Sequence, residues 1–311
     1  MSILRKTVAV RTGDDAQLHT VVDGADDAPV TLVLAHGWTL AQAAWDDVAE
    51  LLLPQVAEGR LRLVRYDQRG HGRSTWGEET EVSIDLLGGD LAAVLDAVAP
   101  EGRLALAGHS MGGMTIMALA AQRPELFGDR VGGVALVSTS AGDLAAQPQN
   151  ARERLQQRLT PGALSLALAG AQVVEKLRQA LPPEHPRHQK FVRDLLYGAD
   201  ATDEMVLTGA EIMHASTVRA FAVFAPTFDE HDKISELAAL TRVPVEILVG
   251  ESDRLTPQRH SEKMAEVLPD AELQIVPRTG HMLPSERPRP VAEALGRLLD
   301  VASRPAEGQV A

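Results

Sequence analysis

A chain of 311 residues with 45% apolar side chains is long enough for one large core or two ordinary ones. Its formal net charge of −13 argues against nucleic acid and anionic membrane surfaces as partners, and the absence of cysteine excludes disulfides, thiolate catalysis and zinc–thiolate sites. Aromatic residues make up only 3%, so the core must be built mainly from Ala, Leu and Val.

Residues 3–12 and 16–22 read as two short strands joined by Gly13-Asp14-Asp15. Val30–Ala35 is a continuous apolar run of strand length, as expected for a strand covered on both faces, and it ends in His36-Gly37-Trp38. A helix is predicted over 42–53, stopped near Pro54. Leu61–Tyr66 is the next strand and runs into the Gly- and charge-rich loop Asp67–Ser74. Val82–Val98 has helical spacing and ends before Pro100. An apolar strand from Leu104, a Gly-Ser turn, a helix to about Gln122 and a strand at Val131–Ser138 follow. Residues 141–240 are predicted to be helical, Ala- and Leu-rich, and broken by Pro161, Pro182-Pro183, Pro186 and Pro226. Alternation resumes with a strand at Val243–Gly250, a helix near 258–267, a strand at Glu272–Val276 and a helix near 286–302, before a frayed tail from Ser303. This pattern predicts an α/β fold with a mostly parallel sheet and helices on both faces. It divides the chain into a first core part at 1–140, a helical cap or lid at 141–240 and a second core part at 241–311.

The chemistry is concentrated at Gly108-His109-Ser110-Met111-Gly112, a Gly-x-Ser-x-Gly run between a strand and a helix. The glycines let strand and helix approach closely, and the sharp turn lifts the Ser110 hydroxyl out of the sheet. A serine nucleophile also needs an imidazole base and a carboxylate that fixes its tautomer. Asp253, in Gly250-Glu251-Ser252-Asp253, and His281, in Thr279-Gly280-His281, each follow a predicted strand. Strand ends of a parallel sheet gather on one edge, where ligand sites form. Glu251 and Asp143 are the competing acids. His109 is expected to pack away from the site, His71 and His36 to shape loops, and His185 and His188 to bind no metal. The Met111 and Trp38 N–H groups are the candidate oxyanion donors. Trp38, Met213, Phe221, Phe224 and Met282 are the candidate pocket residues, with Met205 and Met111 as further candidates. For most of these apolar side chains, holding the lid together is the stronger reading.

These marks, together with Tyr66-Asp67-Gln68-Arg69-Gly70-His71-Gly72-Arg73-Ser74, resemble those of the α/β-hydrolase fold family over roughly residues 5–302. The resemblance implies an eight-stranded, mostly parallel sheet with a cap. It points to the serine-nucleophile, cofactor-free haloperoxidase- and esterase-like branch. Dehalogenase- and epoxide-hydrolase-like members place Asp where Ser110 stands, which argues against both. The expected activity is hydrolysis of a small to medium, largely apolar carboxylic ester through an acyl-enzyme. C–C bond hydrolysis, thioester hydrolysis, acyl transfer and a receptor-like binding role remain open, because the fold hosts many chemistries. A small-molecule substrate is expected, with no cofactor, metal, nucleic acid or membrane insertion, and the oligomeric state is open. No apolar leader or run of about 18 apolar residues is visible, so a cytoplasmic protein is expected.

Overall fold

Each predicted strand becomes part of one sheet. The computed structural model describes residues 3–144 and 182–303. The strands are β1 (Arg5–Arg11), β2 (Gln17–Asp23), β3 (Val30–Ala35), β4 (Arg62–Tyr66), β5 (Arg103–His109), β6 (Val131–Val137), β7 (Val245–Gly250) and β8 (Glu272–Val276). Their order across the sheet is β1-β2-β4-β3-β5-β6-β7-β8. β1 pairs antiparallel with β2, and β2 antiparallel with β4; all the other pairings are parallel.

Helices cover both faces. Val30, Leu32 and Leu34 of β3 pack in one cluster with α1 (Asp46–Ala57) and the C-terminal helix Pro288–Ala302. Val33 and Ala35 pack on the other face with α2 (Ile84–Val98) and α3 (Met111–Gln122). Alternate residues of a wholly buried strand thus serve two cores, which is why five of its six side chains are apolar, Thr31 being the exception. Between β6 and β7 the described chain contains α4 (Pro186–Leu196), α5 (Asp203–Ala215) and α6 (Val218–Phe224), then a 3-10 turn at Ser235–Arg242. Thr202 and Thr217 cap α5 and α6 by accepting the N–H groups of Met205 and Ala220. The predicted helical content at 145–181, including Pro161, and the tail beyond Ser303 lie outside the described residues. Gln258–Val267 is α7, and Pro288–Ala302 is α8. Among the described residues no helix is long and apolar enough to cross a membrane.

Two helix boundaries differ from expectation. Pro54 does not stop α1, which continues to Ala57. The carbonyl that Pro54 leaves without a donor belongs to exposed Glu50, where water can replace the lost bond. The predicted helix at 286–302 is instead a turn at Leu283–Glu286 followed by α8. Pro288 forces Arg287 out of the helical region, to φ −141° and ψ 66°.

The loop after β4 is pinned by a buried ion cluster. The fully buried Arg69 guanidinium donates to Asp90 at 2.9 and 2.7 Å, to Asp14 Oδ1 at 2.8 Å and to the Trp76 carbonyl at 2.8 Å. The cluster ties the hairpin, the loop and α2 together. Breaking it would leave a charge buried without its partner.

Three histidines are buried around the C-terminal edge of the sheet. Burial pushes the His36 imidazole down to about 4. Burial, then the neighbouring His36, pushes His71 down to about 3, and burial with His281 nearby does the same for His109. The folded protein therefore holds all three neutral while the unfolded chain titrates near 6.5. Their contribution to stability is complete above that value and is lost as pH falls toward about 4. Each fully engaged histidine steepens the loss by about 1.4 kcal/mol per pH unit. Urea melts at about pH 7, 6 and 5 are expected to show falling unfolding free energy, with a shallower slope in His71→Gln. Equal slopes in the two proteins would contradict this assignment.

Candidate active site

β5 ends at His109 and α3 begins at Met111, so Ser110 occupies the turn between them. Its backbone has φ 53° and ψ −120°, a conformation that costs a residue with a Cβ about 1–3 kcal/mol. Neighbouring bonds hold it there. Ser110 N–H donates to the Val137 carbonyl at 2.9 Å, and the Ser110 carbonyl accepts from Thr139 Oγ1 at 2.7 Å and from Gly113 N–H at 2.9 Å. A Cβ on Gly108 would strike the Gly112 backbone, and one on Gly112 would strike the Ala35 carbonyl. Close packing of α3 on β3 and β5 thus fixes the turn, and Ser110 stays partly accessible.

Asp253 and His281 come from the loops after β7 and β8 and meet directly. His281 Nδ1 donates to the Asp253 carboxylate at 2.9 and 3.0 Å. Oδ1 also accepts the Leu255 and Thr256 N–H groups at 2.9 and 3.0 Å, and Oδ2 accepts the Thr256 hydroxyl at 2.9 Å. Burial opposes ionisation of Asp253, but the charge of His281 and these hydrogen bonds outweigh it and leave the carboxyl below its ordinary value. With Nδ1 committed as a donor, Nε2 of a neutral ring is an acceptor. Among the described residues no hydrogen bond joins Ser110 Oγ to this ring. Such bonds commonly tighten only with substrate bound. The competing acids lie elsewhere. Glu251 accepts the Arg278 N–H at 2.8 Å, and exposed Asp143 pairs with Lys263.

The His281 loop is held from three sides. The Leu196 carbonyl at the end of α4 accepts the His281 N–H at 2.7 Å. The buried Glu286 carboxylate accepts Gly280 N–H at 2.9 Å and Gly198 N–H at 2.7 Å. Burial raises the Glu286 carboxyl above its ordinary value, with those two donors opposing the rise. His109, expected to turn away, lies instead beside His281. Its ring centroid is 4.9 Å from that of His281, and its Nε2 donates to the His281 carbonyl at 2.8 Å. β5 places the side chain that precedes the turn on the face packed by the β8 loop.

The loop after β3 borders Ser110. A Cβ on Gly37 would lie 3.1 Å from Ser110 Cβ and 3.1 Å from His109 Nδ1. As the first residue of α3, Met111 has no intrahelical acceptor for its N–H. Behind the loop, His36 Nδ1 donates to the Gly37 carbonyl at 2.7 Å, and its Nε2 accepts Gln68 N–H at 2.8 Å. Gln68 in turn bonds the His36 carbonyl and accepts from Thr115 Oγ1 of α3 at 2.8 Å.

The candidate pocket residues fall into two groups. Met213 and Met282 join a cluster with Leu40, Ala44 and Val192. Met282 and Met205 also line a cavity of about 410 Å³ between α1, α5 and the turn after His281, where Ile212, Asp47 and Glu204 contribute too. Trp38 and Phe221 stack on the other side, centroids 4.6 Å apart, and Phe228 meets the Trp38 edge at 5.2 Å. Phe224 is fully buried against His71 and Trp76. Met111 is likewise buried. Among the described residues no group of three or more His, Asp or Glu side chains is placed to hold a metal ion.

Sequence reasoning missed Thr256, Gln68, Phe228 and Glu286. Thr256 carries a local signal, since an Asp followed three residues later by a hydroxyl side chain can close a turn on itself. Glu286 carries none, because its second partner lies 88 residues away.

Comparison with known proteins agrees with this fold. A family model described as "Alpha/beta hydrolase family" matches residues 32–294. "Esterase Rv0045c" of Mycobacterium tuberculosis is 28% identical over 271 residues, covering 86% of this chain and 82% of its own. "Bifunctional esterase/perhydrolase DCH" of Acinetobacter calcoaceticus is 27% identical, covering 89% of this chain and 93% of its own. A thermophilic esterase from Thermogutta terrifontis superposes with a TM-score of 0.72 at 22% identity, covering 97% of this chain and 100% of that one, which supports the shared fold alone. With more than half of its length matched by the family model, the chain belongs to the alpha/beta hydrolase family.

Proposed function

We propose that this hydrolase cleaves carboxylic esters with Ser110 as nucleophile, His281 as general base and Asp253 as the carboxylate that fixes the imidazole. The observation that carries the reading is the Asp253–His281 hydrogen bond, 2.9 Å long, on the same sheet edge as a serine held at φ 53°. The esterase names of the relatives support the reaction class. In the first step His281 Nε2 takes the Ser110 proton as Oγ attacks the ester carbonyl, and the carbonyl electrons move onto oxygen. The N–H groups of Trp38 and Met111 receive that oxyanion. Collapse expels the alkoxide, which takes the proton from His281 and leaves an acyl-serine. Water then adds to the acyl carbon, His281 accepts its proton, and the acid leaves as Ser110 regains the hydrogen.

The cap of this reading falls on residues 141–240, supported in its described part by the Leu196 carbonyl, which accepts the His281 N–H, and by Gly198 N–H, which donates to Glu286. Ser110, Asp253 and His281 do not line the cavity of about 410 Å³, but Met282, next to His281 in the chain, does. We assign the substrate's outer portion to that cavity, where Met205, Ile212 and Met282 favour an uncharged, apolar group and Asp47 and Glu204 disfavour an anionic one.

Ser110→Ala is expected to lower kcat by more than about 10⁴-fold on short and medium acyl esters, with the protein still folded. Asp253→Asn presents an amide to Nδ1 and favours the wrong tautomer, so kcat is expected to fall about 10³- to 10⁴-fold. Steady-state kinetics check both, and retained turnover in Ser110→Ala would overturn the mechanism. Across an ester panel, neutral acyl chains are expected to exceed carboxylate-terminated chains of equal length by about tenfold in kcat/KM, roughly 1.4 kcal/mol. Equal values would contradict the pocket assignment.

A further inference from the structure

In the proposed mechanism Trp38 acts through its main chain, yet its side chain is committed to α6. The indole Nε1 donates to the Ala220 carbonyl at 3.1 Å. The ring stacks on Phe221 with an interplanar angle of 25° and meets Phe228 nearly edge-on at 78°. The same short helix is anchored at its other end. Buried Phe224 lies 5.9 Å from Trp76 and 5.3 Å from His71, and the Arg219 guanidinium sits 4.3 Å over the Trp76 ring. The chain has three Trp, two Tyr and five Phe, and half of them, Trp38, Trp76, Phe221, Phe224 and Phe228, gather at this one joint.

The peptide that carries the Trp38 N–H is held through its Gly37 carbonyl, which accepts His36 Nδ1 at 2.7 Å. Leu40 N–H reaches the Gly37 carbonyl at a long 3.3 Å, and the Trp38 carbonyl is held by the Thr39 hydroxyl at 2.7 Å. Thr39 itself has φ 59°, an uncommon conformation for a β-branched residue. Bonds at that one oxygen still let the peptide pivot about it, so the direction of the opposite N–H depends on what fixes the Trp38 Cα. The largest object attached to it is the indole.

We propose that Trp38 is a positioning residue: its indole, locked to Ala220 and Phe221, aims its own main-chain N–H at the oxyanion site. Docking of α6 and completion of the oxyanion hole are then one event. This rests on the proposed acyl-transfer reading. An interaction used only in the transition state lowers kcat when lost and leaves substrate affinity in place. A pocket wall does the reverse, and a purely structural contact changes the fraction of active enzyme.

The test compares Trp38→Phe, which keeps a ring for stacking but loses the Nε1 donor, with Phe221→Ala and Phe221→Tyr. Active sites are first titrated with a fluorophosphonate, so that kcat refers to competent enzyme. Phe221 is 48% exposed, so its variants remain informative if Trp38→Phe folds poorly. The expected result for Trp38→Phe and Phe221→Ala is a fall in kcat of about tenfold with KM within about twofold. Affinity for an alkylboronic acid, which mimics the tetrahedral adduct, is expected to weaken by the same factor as kcat/KM. Phe221→Tyr is expected to recover most of the kcat lost in Phe221→Ala. Unchanged kcat and boronate affinity, with or without a raised KM, would overturn the positioning role. Failure of the underlying mechanism reads differently: the parent enzyme would then bind neither fluorophosphonate nor boronate at Ser110.

Discussion

The close approach of α3 to β3 and β5 is the constraint on which the rest of the site depends. No side chain fits between the Gly112 backbone and the Ala35 carbonyl, so the chain must turn sharply at Ser110. That turn places a non-glycine residue at positive φ, at a cost of about 1–3 kcal/mol. Fixed bonds from Ser110 to Val137, Thr139 and Gly113 offset the cost. The same packing brings the β3 loop against Ser110, because Gly37 leaves no Cβ there. One packing contact thus sets the side chain, the first N–H of α3 and the neighbouring loop together.

The second half of the site is assembled across a much longer stretch of chain. Asp253 and His281 ride on loops at the ends of adjacent parallel strands, where topology alone brings them near one another. Their relative orientation needs more. Leu196 and His109 bond the His281 main chain, Glu286 bonds the adjoining Gly280, and Thr256 fixes the carboxylate. The buried Glu286 carboxylate is unusual in being satisfied by two main-chain N–H groups, one from each side of the joint. It links the helical segment to the loop that carries His281.

Local chemistry made most of the architecture legible in the sequence. The helix at 258–267 and the strand at Glu272–Val276 fall where their apolar spacing and flanking residues place them. Gly-x-Ser-x-Gly put Ser110 on the turn between β5 and α3, and Asp253 and His281 lie at strand ends as their sequence context indicates. Pro54 misled because it falls in the last turn of α1, where only the carbonyl of exposed Glu50 loses its donor and water can replace it. His109 misled because the direction of a side chain at a strand end depends on the loop that covers it. Phe221 and Phe224, three residues apart on one helix, have opposite fates, one stacked in the open on Trp38 and the other buried. Nothing in their spacing tells which face of so short a helix meets the core. Glu286 was invisible for the same reason, since its partners are set by the tertiary fold.

The proposed convergence of Ser110, His281, Trp38 and Met111 is tested most directly by a crystal structure of the enzyme after reaction with an alkyl phosphonate. The account predicts a covalent bond from Ser110 Oγ to phosphorus, with the phosphoryl oxygen about 3 Å from both the Trp38 and Met111 nitrogens and His281 Nε2 facing the Ser110 oxygen. An adduct on another residue, or a phosphoryl oxygen turned away from those two N–H groups, would contradict it.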